Sequence, residues 1–276
     1  MRIVVTGAGG GLGRAVLAGA PPHHDIVALD RVALDIGDHH AVQQVIADIA
    51  PDLVLNCAAF TAVDANETDR GRAFRDNAQG PQSLALAAHA CGATLVHVST
   101  DYVFDGRKGA AYDETDVPAP LSVYGHAKLA GEQLVRAAVR EHFIVRTGYV
   151  FGGGNDHLSR QLAKLRAGEP AAAIADRVGS PTYVHHLAAQ LIPLALTRRF
   201  GTYHLAGPES STWFDVLTRL RTLGGFDAPV GAQHAAALEL PAQRPAASAL
   251  VSVFVENLSL PGFPPLETAL DAMLQG

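Results

Sequence analysis

Tyr124 and Lys128 are four positions apart at the start of a helical pattern, Tyr124-Gly125-His126-Ala127-Lys128, that runs to Arg140. Residues at i and i+4 share a helix face, so the ammonium can lie near the phenol, favour its ionised form and arm it as a general acid. Tyr-x-x-x-Lys arises often by chance. The chain has eighteen arginines and only three lysines, however, so its surface charge comes from arginine and a lysine here is not easily read as a solvated face. A second group is Ser99-Thr100-Asp101-Tyr102, directly after the apolar run Thr94-Leu95-Val96-His97-Val98. Hydroxyls and a carboxylate gathered where a parallel strand leaves its sheet lie where open α/β folds bind ligands. Thr100 is therefore counted with Tyr124 and Lys128 as a catalytic candidate. His97 lies inside the strand and reads as a packed residue.

A third group could hold a phosphate. Ile3-Val4-Val5 leads into Thr6-Gly7-Ala8-Gly9-Gly10-Gly11-Leu12-Gly13-Arg14 and then an alanine-rich helical stretch. Strand, glycine-dense turn and helix make the opening of a βαβ unit. Gly7 would turn the chain, Gly10 would admit a pyrophosphate close to backbone, and Gly13 would let the helix approach the sheet. Gly11 and Leu12 sit at the helix N-terminus, where N–H groups and the dipole favour anions. A dinucleotide is the expected ligand.

These groups need a scaffold of alternating strands and helices. Ile26-Val27-Ala28-Leu29 reads as a second strand ending at Asp30, seventeen residues beyond Gly13 and close to the spacing of a ribose-binding acid. Arg31 beside it, or Arg14, could instead meet a 2′-phosphate, which leaves NAD and NADP both open. Leu34-Asp35-Ile36 falls where the chain would return beside the adenine, or it is a loop anchor. A helix over Asp38–Ala50 precedes a third strand, Asp52–Asn56, whose small successors leave room for a cofactor lined by Ala59 and Thr61. A helix over Asn77–Cys91, the fourth strand and a fifth, Phe143–Arg146, complete the pattern. Val184–Leu196 reads as an apolar helix returning to the sheet and Tyr203-His204-Leu205 as a further strand. The fold class expected is α/β, a doubly wound parallel sheet of Rossmann type.

Composition narrows the functions. With 276 residues and 48% apolar content the chain can bury a sizeable core. A net charge of −6 without a basic run argues against nucleic acid as the partner. The N-terminus resembles a strand rather than a leader, and no apolar run reaches about 18 residues, so a cytoplasmic protein that does not enter the membrane is expected. Cys57 and Cys91 form no C-x-x-C and read as buried thiols. The paired histidines point in different directions, so no metal site is expected.

Taken together, residues 7–13, Asn56 through Asp64, Ser99 through Gly106, Tyr124 with Lys128, and Arg146-Thr147-Gly148-Tyr149-Val150-Phe151-Gly152 resemble the extended short-chain dehydrogenase/reductases. Within them the chain is similar to the dTDP-4-dehydrorhamnose reductase family. The likeness continues through Asp176–Thr182, Gly201–Leu205, Thr212-Trp213 and Arg244-Pro245, and weakens after about Leu250. It implies a catalytic set of Thr100, Tyr124 and Lys128, with Asp101 and Tyr102 beside a sugar and Asp35 and Ile36 bordering the adenine. Tyr149 stands where relatives often have Trp, and Arg177 where they have Gln, both near the expected sugar pocket.

The resemblance also implies that residues 1–150, with 183–205 returning to them, bind the dinucleotide. Residues 151–182 and 206–276 would then form a smaller substrate-binding cap. In that cap Arg244 could contact a diphosphate, whose oxygens a guanidinium matches in two-point fashion. The activity expected is reduction of a nucleotide-linked 4-keto-6-deoxysugar by NADPH, with NADH as an alternative. Tyr124 would protonate the forming alkoxide, Lys128 would lower the phenol's pKa and hold the nicotinamide ribose, and Thr100 would bond the carbonyl oxygen. An epimerase, a dehydratase or a non-catalytic nucleotide-binding subunit are the competing readings. The expected partner is a sugar nucleotide, and the expected assembly a monomer or homodimer.

Overall fold

The inner strands of the central sheet bury both faces, and that dictates helices on both sides. The computed structural model describes residues 1–276. Its sheet is built from β1 (Arg2–Thr6), β2 (Asp25–Leu29), β3 (Leu53–Asn56), β4 (Thr94–Thr100), β5 (His142–Thr147) and a sixth strand, Gly201–His204. All neighbours are parallel, in the order sixth strand, β5, β4, β3, β1, β2. Ile3, Val5, Leu53, Leu55, Phe143 and Val145 face a core shared with α1 (Gly11–Gly19) and the helix Val184–Leu196. Val4, Val54, Leu95 and Ile144 face the opposite core, shared with α2 (His39–Ile49) and the helices Gly80–Cys91 and Val123–Ala138. Continuous apolar runs rather than alternating ones are what a doubly covered parallel sheet requires.

The chain reverses its direction of winding between β1 and β3, so the crevice beyond their C-terminal ends is the topological switch point at which such sheets bind ligands. The glycine turn lies there.

Element ends shift slightly from the sequence reading. The Tyr124 helix stops at Ala138, and the helix expected from Asn77 opens instead as a π-helical turn, Arg75–Gln79, ahead of Pro81. A proline has no N–H to close an ordinary α-turn, which fits a widened turn at this place.

Residues 151–182 and 206–276 contain a third core, in which Phe151, Leu158, Leu162, Val216, Leu220, Leu270 and Met273 are buried together. From it a strap, residues 242–251, runs back over the end of β4. Val178 N–H donates to Ala246 O and Ser248 N–H to Val178 O, while Tyr112 N–H donates to Ala249 O and Val251 N–H to Tyr112 O. No helix is long and apolar enough to cross a membrane.

Candidate active site

The glycine turn closes around its own backbone. Gly7 has φ +66°, and a Cβ there would lie 2.6 Å from Ala58 N, so only glycine fits the turn off β1. A Cβ at Gly13 would lie 2.3 Å from Gly7 O. Gly13 is therefore needed against the turn itself, a tighter constraint than approach to the sheet. Gly10 N–H donates to Gly7 O at 2.9 Å, and Gly11 lies against Gly153, whose Cα a Cβ on Gly11 would approach to 2.9 Å. Leu12 packs into the core beneath. Arg14, considered for a 2′-phosphate, is committed elsewhere: its guanidinium donates to Gly9 O and, at 2.6 Å, to Gly153 O.

Beside the turn is a groove of about 340 Å³ whose lining includes Gly7, Gly10, Asp30, Arg31, Asp35 and Ile36, with Ala59 along the β3 side. Asp30 Oδ1 accepts from Val32 N–H and Ala33 N–H, both at 2.9 Å, which fixes the carboxylate at the end of β2. Arg31 points to Asp76 at 3.7 Å, and Arg75 bridges Asp35 at 3.0 Å and Asp76 at 2.8 Å. Thr61 is exposed and lies outside the groove lining. Backbone N–H groups at the glycines, an apolar floor and guanidiniums at the far end suit the diphosphate, the adenine and the ribose end of a dinucleotide.

Cys57, which lines the groove, lies within electrostatic reach of Lys128, the first of the catalytic candidates. Ser122 Oγ caps the helix Val123–Ala138 by accepting from Gly125 N–H at 3.2 Å. Gly125 lets that helix start against Tyr102, since a Cβ there would sit 2.2 Å from Tyr102 O. Tyr124 is thereby buried against the Thr100–Tyr102 turn. Burial pushes the phenol up to about 12; the nearby Thr100 hydroxyl opposes this and the Asp101 charge adds to it. The expectation that Lys128 lowers this pKa is corrected here. Lys128 is buried on the same helix face, but its Nζ donates to Val98 O at 2.6 Å and lies 3.5 Å from His97 Nε2. Its own pKa is drawn down to about 8 by burial, against the pull of Glu132 and Cys57.

Asp101 is buried against the strap. Its Oδ1 accepts from Thr100 Oγ1 at 3.1 Å and its Oδ2 from Ser248 Oγ. Burial pushes this carboxyl up to about 6 despite those bonds. Tyr102 meets the Tyr124 ring edge to face at 5.8 Å. Tyr149, with φ +47°, stacks on Trp213 at 4.8 Å, so the tryptophan packs on the tyrosine assigned to the sugar. The ionisation of Tyr149 is opposed by burial first, then by Tyr102 and Asp101, and eased by Arg177 and Arg244.

Arg244 is not free to take a diphosphate in the two-point manner the sequence suggested. Asp64 takes that place, at 3.0 and 2.6 Å, and Ala242 O accepts from the same guanidinium at 3.0 Å.

Three participants were absent from the sequence reading of the site. Asp64 and Ser248 act from far along the chain. Glu132, fully buried behind Lys128, accepts from Ser99 at 2.6 Å and from Arg146 at 2.7 and 2.9 Å. Burial would raise its pKa, but Arg146, Ser99 and Arg136 hold it below the usual value.

A glycine-turn groove at the switch point, together with a tyrosine and a lysine buried one helical turn apart beside the end of β4, defines a Rossmann-type nucleotide-binding oxidoreductase of the short-chain class. The RmlD substrate binding domain model matches residues 1–276. The chain is 37% identical over 223 residues to a dTDP-4-dehydrorhamnose reductase of Aggregatibacter actinomycetemcomitans, covering 78% of this chain and 76% of that one. It is 35% identical over 264 residues to the enzyme of the same name from Sinorhizobium fredii, covering 91% and 88%. A crystal structure of dTDP-4-dehydrorhamnose reductase from Bacillus anthracis in complex with NADP superposes with a TM-score of 0.95, at 34% identity, over 99% of this chain and 98% of that one. The chain belongs to the dTDP-4-dehydrorhamnose reductase family.

Proposed function

We propose that this protein reduces the C4 ketone of a nucleotide-linked 4-keto-6-deoxysugar, dTDP-4-dehydrorhamnose being the substrate that its relatives' names give, with NADPH as reductant and NADH as an alternative. The observation that carries this reading is the burial of Tyr124 against the Thr100–Tyr102 turn that ends β4, with Lys128 one helical turn on and fastened to Val98 O of the same strand. Gly7, Gly10, Gly11, Leu12 and Gly13 would hold the diphosphate, Asp30 and Arg31 the adenosine ribose, Asp35 and Ile36 the adenine, and Ala59 and Thr61 the path between. When bound, the reduced cofactor supplies a hydride.

Tyr124 is the general acid. A phenol held near 12 keeps its proton at neutral pH and can give it to an alkoxide, which is the more basic partner. Thr100, buried close to the phenol, orients the carbonyl oxygen. Lys128 anchors the nicotinamide ribose and keeps positive charge near the proton donor. Asp101, Tyr102 and Tyr149 bound the sugar, and Arg244, fastened by Asp64, is assigned to the same side of the substrate.

Residues 1–150 with 183–205 are assigned to the cofactor, and 151–182 with 206–276 to a substrate cap. The protein is placed in the cytoplasm as a monomer or homodimer, which cell fractionation and sedimentation test. The deciding experiment for the activity is a panel of nucleotide 4-keto sugars with NADPH and NADH, reading cofactor oxidation and product stereochemistry. One equivalent of NADPH consumed per alcohol formed supports reduction. Conversion without net oxidation would instead mean an epimerase or dehydratase, whose cofactor is regenerated.

A further inference from the structure

The register of three neighbouring strands sets Thr6 beside Asn56 and Asn56 beside His97. All three are buried, His97 completely, and Lys128 reaches the same spot from the helix above. The row is polar in the middle of an apolar sheet, so every donor in it needs an acceptor. Asn56 Oδ1 accepts from Ala58 N–H at 3.1 Å and from Thr6 Oγ1 at 2.8 Å. A backbone N–H can only donate, so that end of the amide must be the oxygen, and Nδ2 is what faces His97 Nδ1 at 3.0 Å. The imidazole nitrogen facing an amide NH₂ must accept. His97 then carries its single proton on Nε2, the atom 3.5 Å from Lys128 Nζ.

An N–H aimed at an amine suits the uncharged amine, which can accept from it, and disfavours the ammonium, which cannot. We propose that His97 is a positioning residue for Lys128: its tautomer, locked by Asn56, presents an N–H to the lysine nitrogen, holds that nitrogen close to releasing its proton, and so sets the upper pH limit of reduction. The inference rests on the assignment of Lys128 to the reaction.

The surroundings agree. Burial and the nearby Lys128 and Arg136 charges keep His97 itself well below the usual imidazole range and therefore neutral. The other titratable groups around Lys128 are Cys57, whose thiol burial pushes up to about 12, Tyr124 one turn back, and Glu132 one turn on, which pulls the lysine the opposite way.

The test uses His97→Leu, which fills the site without an N–H, and His97→Gln, whose amide can accept from Asn56 and still donate to Lys128. With only three lysines in the chain, the Lys128 side-chain carbon signal can be titrated by NMR over about pH 6–10 in the free protein, alongside kcat/KM with NADPH. The wild type should lose activity and titrate near pH 8. His97→Leu should move both upward by about one unit, and His97→Gln should restore them. Coincident profiles for wild type and His97→Leu, or equal shifts in both variants, overturn the proposal.

Should neither variant fold, ¹⁵N-histidine spectra of the unaltered protein decide. A proton on Nε2 alone supports the assignment, and one on Nδ1 or on both nitrogens contradicts it. If no keto sugar is reduced, the catalytic reading of Lys128 fails, while the lysine titration still tests the coupling to His97.

Discussion

Arg244 and Asp64, separated by 180 residues of chain, meet in a two-point ion pair with contacts of 3.0 and 2.6 Å. The same carboxylate accepts from Ala242 N–H at 3.1 Å, so one side chain after β3 fastens the start of the strap. The pair holds Asp64 below the usual carboxylate range, through the Arg244 hydrogen bond first, against a burial cost. Asp64 is more than a third exposed, so the link contributes modestly to stability, about 1 kcal/mol or less. Its larger effect is on geometry.

Arg244→Ala should therefore leave the melting temperature nearly unchanged and raise KM for the sugar nucleotide about tenfold, equivalent to about 1.4 kcal/mol. Initial-rate kinetics at saturating NADPH check this. The KM for NADPH should not move, because the pair lies away from the groove lining.

Asp101 makes stability pH-dependent. Its folded-state pKa is raised from 3.8 to about 6, so the folded form binds the proton more tightly than the unfolded chain. The stabilisation is complete below about pH 4 and lost as pH rises through 6, amounting to about 3 kcal/mol at most. Urea denaturation at about pH 4.5 and 7.5 measures it. Asp101→Asn, which cannot titrate, should flatten this part of the profile.

Gly13→Ala should weaken NADPH binding at least about tenfold. A methyl 2.3 Å from Gly7 O cannot be accommodated without moving the turn, an overpacking cost of about 1–3 kcal/mol. Fluorescence titration with NADPH reads the change. Ala at Gly19, where nothing lies within 4 Å of an added Cβ, is the control and should bind normally.

The sheet was readable because β1, β3 and β5 carry continuous apolar runs, as two-sided burial demands, β4 does so but for His97, and the glycine turn announced the first crossover. Spacing alone also put Tyr124 and Lys128 on one helix face. It could not say which way the lysine head turns. Val98 O, supplied by β4, takes it in place of the phenol. His97 read as a packed residue, and it is buried; its role is visible only once register aligns Thr6, Asn56 and His97 on three strands. Asp64 and Ser248 carry no local signal, because their partners lie 180 and 147 residues away. The two-residue strands Val150–Phe151, Val178–Gly179, Thr182–Tyr183 and Ser211–Thr212 are too short to show a period.

The central claim is that the Tyr124 phenol delivers the proton that completes ketone reduction. Tyr124→Phe keeps the ring and removes that proton, so the measurement is its turnover with a nucleotide 4-keto-6-deoxysugar beside its affinity for NADPH. The account predicts a kcat lower by about 10²–10⁴-fold with cofactor affinity intact. A variant that still oxidises NADPH near the wild-type rate would contradict it.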